Sequence, residues 1–148
     1  MSNNDILALI PHRSPMLLIN TIVELTEQHA IATVLINQQT NFFEPKHGVP
    51  GWIGVEYMGQ TAALIGGYQE RLHKLGPQLG FLMGTRRYTT TCNYFAPGSE
   101  LHVHCQEQAT VGNSLAIFDC KIISSQHEQP LATAKLSVFR QAINEQTL

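Results

Sequence analysis

Residues 50–73 read PGWIGVEYMGQTAALIGGYQERLH, and this stretch decides the fold. Proline and glycine open it and no further proline interrupts it. Apolar residues recur at helical intervals, Ile53, Tyr57 and Leu64 on one row and Met58, Ala62 and Ile65 on the next. The spacing predicts one long helix from Trp52 to about His73. Gly59, Ala62, Ala63, Gly66 and Gly67 weaken an isolated helix, yet they let another backbone come close. Such a helix is expected to be wrapped by a sheet rather than to lie on a surface.

Before the helix, Asp5 to Leu9 reads as a helical turn that Pro11 stops. Leu17 to Leu25 and His29 to Ile36 read as a hairpin broken at Thr26-Glu27-Gln28. Asn41 to Gly51 contains Pro45, Gly48, Pro50 and Gly51, a composition that excludes regular structure and demands a shaped loop. After Gly76-Pro77 come four strand-like runs, Leu79 to Phe95, Glu100 to Val111, Leu115 to Ser124 and Leu131 to Arg140. Pro97-Gly98, Gly112-Asn113 and Gln129-Pro130 separate them. In the second run Leu101, Val103, Cys105 and Ala109 alternate with His102, His104, Gln106 and Gln108, so one face of the sheet is wet. A hairpin, one long helix and four antiparallel strands, without βαβ alternation, make an α+β fold. Residues 1–148 form one domain, without repeats or linkers.

Of the 148 residues, 43% are hydrophobic and 14% charged, a low charge content that points to apolar surface hidden in a partner subunit. A formal net charge of -2 supplies no basic field for nucleic acid or an anionic membrane. MSNNDILALIP lacks the basic and apolar regions of a secretory signal, and no apolar stretch reaches the length of a membrane span. A cytoplasmic protein is expected. Cys92, Cys105 and Cys120 are odd in number and lack C-x-x-C spacing, so they read as reduced filler.

Glu56 sits one turn into the apolar helix, and Gln60 follows four residues later on the same face. A carboxyl between helix and sheet must be protonated or hydrogen-bonded, which suits a general acid. A purely structural Glu-Gln hydrogen bond fits the same spacing. The preceding loop adds His47, and Gly51 and Trp52 stand where helix N–H groups are unpaired. A histidine base, a carboxylic acid and amides aimed at an enolate oxygen would suit proton abstraction beside a thioester carbonyl and loss of a β-hydroxyl. An N-capping loop with an exposed His47 is the alternative.

Four segments, Pro11-His12-Arg13-Ser14-Pro15-Met16-Leu17-Leu18, Phe42-Phe43, Pro50-Gly51 through Glu56 to Gln60, and Ala96-Pro97-Gly98-Ser99-Glu100-Leu101, resemble in order and spacing the (3R)-hydroxyacyl-acyl-carrier-protein dehydratases. That resemblance implies the hotdog fold, an antiparallel sheet wrapped around the central helix, with two subunits completing each active site. It also implies that Glu56 is the acid, Gln60 its partner, the Gly51 amide the thioester oxyanion donor with Trp52 beside it, and His47 the base. No cofactor is implied beyond the phosphopantetheine of the acyl carrier protein. The loop departs from the family: Phe42-Phe43 is followed by Glu44-Pro45-Lys46-His47-Gly48-Val49, four residues shorter before Pro-Gly. In this it resembles divergent dehydratase-like proteins of aryl polyene and polyketide pathways, some of which act with a second hotdog subunit. A homodimer or heterodimer is therefore expected, and a non-catalytic or half-site partner subunit is the rival to an enzyme. Thioesterases share the fold, but Glu56-Gln60 and the Pro-Gly elbow favour dehydration.

Arg86 and Arg87, with Arg13 and Lys46, are candidates for a positive patch receiving the carrier protein, although adjacent arginines in a strand face opposite ways. His12 and Arg13 read as bracing the fold, and His73 and His127 as surface. His102 and His104 lack a third ligand at a metal-binding spacing, so no metal is expected. Trp52, Tyr57, Phe81 and Met83 either line an acyl tunnel or fill the core.

Overall fold

The computed structural model describes residues 3–73, 78–112, 114–125 and 129–142, with the backbone alone at 3–4, 78–83, 86 and 140–142. Its elements run α1 (Asn3–Leu9), β1 (Thr21–Leu25), β2 (His29–Leu35), β3 (Val49–Pro50), a 3-10 turn (Gly51–Ile53), α2 (Gly54–Leu72), β4 (Gln78–Thr90), β5 (Tyr94–Phe95), β6 (Glu100–Val111), β7 (Leu115–Ser124) and β8 (Ala132–Ala142).

The alternation read in residues 100–111 sets the sheet. Val103 lies opposite Ala32 on β2 and Ile122 on β7, and Cys105 opposite Ala30 and Cys120, all of them buried. His102 and His104 point to the other face. The sheet is antiparallel throughout, in the order β1-β2-β6-β7-β8-β4, and each of its six strands touches α2. An antiparallel sheet wrapped around one long helix is the hotdog arrangement. Tyr57, Met58, Leu64 and Ile65 on α2 are fully buried against the sheet. Met58, Leu64 and Ile65 each contribute about 1.5–3 kcal/mol by leaving water.

The small residues of α2 divide their work. A Cβ at Gly67 would come within 1.9 Å of Leu9 O, so Gly67 admits the end of α1. A Cβ at Gly59 would meet nothing within 4 Å, so that position, beside the Glu56 face, is open. The expectation that all these residues serve the sheet is corrected: Gly67 serves α1.

Three boundaries differ from the sequence reading, each for a local reason. Strand β1 starts at Thr21 rather than Leu17, because the backbone of Met16 and Leu18 bonds to the Gln60 side chain. The long run Leu79 to Phe95 divides: β4 ends at Thr90, and Tyr94–Phe95 pairs with Val49–Pro50, giving the loop one rung of regular structure. The helix begins at Gly54 after the 3-10 turn rather than at Trp52. Among the described residues no helix is long and apolar enough to cross a membrane.

Candidate active site

Gln60 is the fixed point of the site. It is fully buried, its Oε1 accepts the Leu18 N–H at 2.9 Å, and its Nε2 donates to Met16 O at 2.7 Å and to Glu56 Oε1 at 3.2 Å. Because Leu18 offers a donor, Gln60 must present its oxygen there, and both amide hydrogens then point to Met16 and Glu56. Glu56 Oε1 is thereby held as an acceptor. The carboxyl is half-buried in the first turn of α2. The P-H-R-S-P-M-L-L segment acts through this clamp. Arg13 takes no direct part: Nη1 donates to Ile10 O and His12 O, each at 2.8 Å, and Nη2 to Leu7 O at 2.9 Å, closing the end of α1.

The Pro-Gly elbow packs on the turn after β4. Gly51 N–H donates to Asn93 O at 2.8 Å, and a Cβ at Gly51 would sit 2.6 Å from Cys92 O, so only glycine fits. This corrects the expected role of Gly51, since its amide is already spent within the chain. Among the described residues no backbone acceptor outside the 3-10 turn meets the Trp52 N–H, which follows the Gly51 N–H at the start of the turn. Gly51 O accepts from Gly54 N–H and from Tyr88 Oη, the latter at 2.5 Å.

His47 sits in a tight turn, its N–H donating to Glu44 O at 3.0 Å, and its ring stacks on Tyr94 with centroids 5.0 Å apart. The imidazole is exposed, and among the described residues no hydrogen bond or ion pair joins it to Glu56. The structure therefore brings together Glu56, Gln60 and the Gly51-Trp52 elbow within one chain, and leaves His47 facing outward.

Trp52 is 65% exposed and lies against Phe42, ring centroids 6.4 Å apart, so it does not belong to the core. Tyr57 does: it is fully buried and tilted on Phe95, and burial, with Tyr88 nearby, holds its phenol above the usual tyrosine range. The side chains of Phe81, Met83 and Arg86, and all of His127, lie outside the described residues. The expected patch of Arg13, Arg87 and Lys46 does not assemble. Arg13 is used by α1, Arg87 joins Lys121 and Lys135 beside the wet sheet face, and Lys46 borders a separate cleft with Phe43 and Pro97. Sequence reasoning missed Tyr88, Asn93 and Tyr94, for which a polar strand run carries no chemical signal.

A family model for ApeP-like dehydratases, described as ApeP dehydratase, matches residues 4–148. The chain belongs to this family. Among curated relatives of the ApeP-like chain, the 3-hydroxyacyl-[acyl-carrier-protein] dehydratase FabZ of Rickettsia typhi is 30% identical over 128 residues, 80% of this chain and 86% of that protein. FabZ of Sinorhizobium fredii is 32% identical over 114 residues, 74% of this chain and 71% of that protein. Among solved structures, the dehydratase heterocomplex ApeI:P from Xenorhabdus doucetiae superposes with a TM-score of 0.83 at 22% identity, covering 95% of this chain and 92% of that one. A hypothetical thioesterase with coenzyme A from Streptococcus pneumoniae superposes with 0.63 at 12% identity, covering 84% and 87%.

Proposed function

We propose that this ApeP-like chain dehydrates a (3R)-hydroxyacyl thioester on acyl carrier protein to the trans-2-enoyl thioester. His47 removes the C2 proton, and the Trp52 N–H meets the oxygen on which enolate charge develops. Glu56 Oε2 then gives its proton to the 3-hydroxyl, the C3–O bond breaks, and water leaves. Exchange with solvent returns the proton from His47 and reprotonates Glu56. The reaction needs no cofactor beyond the phosphopantetheine arm of the carrier.

The observation that carries this reading is the Gln60 clamp, which fixes one oxygen of Glu56 and leaves the other free beside the open position at Gly59. The exposed His47 supports an active site completed by a second hotdog subunit, identical or different, that brings an imidazole over Glu56. The sheet has two edge strands, β1 and β4, at which such a subunit can extend it. The expected compartment is the cytoplasm, where acyl carrier protein is made.

The outward-facing His47 also favours a second reading, in which the chain contributes half of a site to a different hotdog subunit. The test offers a 3-hydroxyacyl carrier-protein thioester to the chain alone and with a second hotdog dehydratase subunit, followed by mass spectrometry. Enoyl product from the chain alone supports the first reading, and product only from the pair supports the second. Release of free acid would mark a thioesterase, and an unchanged substrate in both arms overturns all dehydration.

A further inference from the structure

The Gly51 carbonyl and the Trp52 N–H are the two ends of one peptide group, and a phenol is bonded to the carbonyl end. Tyr88 Oη donates to Gly51 O at 2.5 Å, alongside the Gly54 N–H of the 3-10 turn. A donor at the oxygen of an amide draws charge through it and strengthens the N–H at the other end. We infer that Tyr88 is a positioning residue for the dehydration: it fixes and polarises the Gly51-Trp52 peptide so that the Trp52 N–H faces the developing enolate oxygen as a stronger donor. This inference rests on the dehydratase reading and adds a residue to it.

Three features show that the contact is built rather than incidental. The β4–β8 ladder pairs Arg86 with Lys135, skips two residues, and resumes at Thr89 with Thr133, so Tyr88 lies in a bulge that turns it out of the ladder. Arg87, just before it, has φ 56, a left-handed conformation that an arginine in a strand adopts only when its surroundings impose it. Gly54 completes the fit, because a Cβ there would stand 2.1 Å from Tyr88 Oη. Asn93 O accepts the Gly51 N–H, in the peptide just before, at 2.8 Å, so Gly51 is held at both its N–H and its carbonyl. Burial, with Cys92 nearby, pushes the Tyr88 phenol up to about 12, and it therefore stays a proton donor across the working range.

Tyr88→Phe removes one oxygen and keeps the ring. With a 3-hydroxyacyl carrier-protein substrate, kcat is expected to fall about tenfold while KM changes less than about twofold, the split that marks an interaction realised in the transition state. In the substrate-free protein, the Trp52 amide proton, followed by 15N-edited NMR, is expected to move upfield as its peptide loses polarisation. Wild-type kcat together with an unmoved Trp52 resonance in Tyr88→Phe overturns the inference while leaving the dehydratase reading intact. A wild-type chain that yields no enoyl product, alone or with a second hotdog subunit, overturns the dehydratase reading itself. The inference falls with it as a statement about dehydration, and the Trp52 resonance then reports only whether the peptide is polarised.

Discussion

Gln60 and Leu18, far apart in sequence, are joined by a buried hydrogen bond of 2.9 Å from the Leu18 N–H to Oε1, and this bond decides which way the Gln60 amide faces. Glu56 is therefore oriented by a residue of its own helix whose amide is fixed by a backbone group in the N-terminal segment.

Gln60→Leu should destabilise the fold by roughly 1–3 kcal/mol, because it strands the buried Leu18 N–H without an acceptor. It should also lower kcat, since Glu56 loses its anchor. Urea unfolding and steady-state kinetics check both, and a variant as stable as wild type would show that the clamp is not the fixed point.

Two of the four glycines of α2, Gly67 and Gly59, predict opposite outcomes. Gly67→Ala forces a methyl into Leu9 O, 1.9 Å from where it must sit, and should cost about 1–3 kcal/mol by pushing α1 away. Gly59→Ala meets open space and should raise stability by about 0.5–1 kcal/mol through helix propensity alone. Thermal melting of the pair separates a close approach from mere helix weakness.

His104 should make stability fall in mild acid. Burial first, then Lys121, His29 and His102, hold its imidazole below the ordinary 6.5, against a smaller upward pull from Glu24. As pH drops through about 6.5 the unfolded chain takes up a proton that the folded chain resists, so stability is lost on the way down and is level above. His104→Gln should flatten the decline between pH 7 and pH 5 in denaturant titrations, and an unchanged slope would contradict it.

Cys105 and Cys120 face each other across β6 and β7 with sulfurs 3.0 Å apart, both buried, and burial foremost pushes the Cys105 thiol up. A disulfide reagent added to the native protein should therefore react with Cys92 alone, and with all three thiols after unfolding. Rapid labelling of Cys105 or Cys120 under native conditions would contradict the packing.

Much of this was legible. The spacing of Glu56 and Gln60 announced a shared helix face, and alternation at Leu101, Val103 and Cys105 announced which face of the sheet is dry. The sequence did not disclose long-range geometry. Leu17 and Leu18 looked like strand because their apolar side chains fit one, whereas the backbone groups of Leu18 and of Met16 before it answer a side chain that arrives from α2. The Gly51 amide looked free because it opens a helix, and only the return of the chain at Asn93 occupies it. Tyr88 was hidden in a polar run, since a bulge that re-aims one side chain leaves no periodic trace. Cys105 and Cys120 meet through a strand register that spacing alone does not fix.

The account turns on Glu56 giving a proton to the departing hydroxyl. Glu56→Gln keeps the size of the side chain and an oxygen for the Gln60 hydrogen bond, but has no proton to give. The decisive measurement is the rate of enoyl-thioester formation from a 3-hydroxyacyl carrier-protein substrate by wild type and Glu56→Gln under identical conditions. The account predicts product from wild type and a loss of about a hundredfold or more in the variant; equal rates in the two proteins would contradict it.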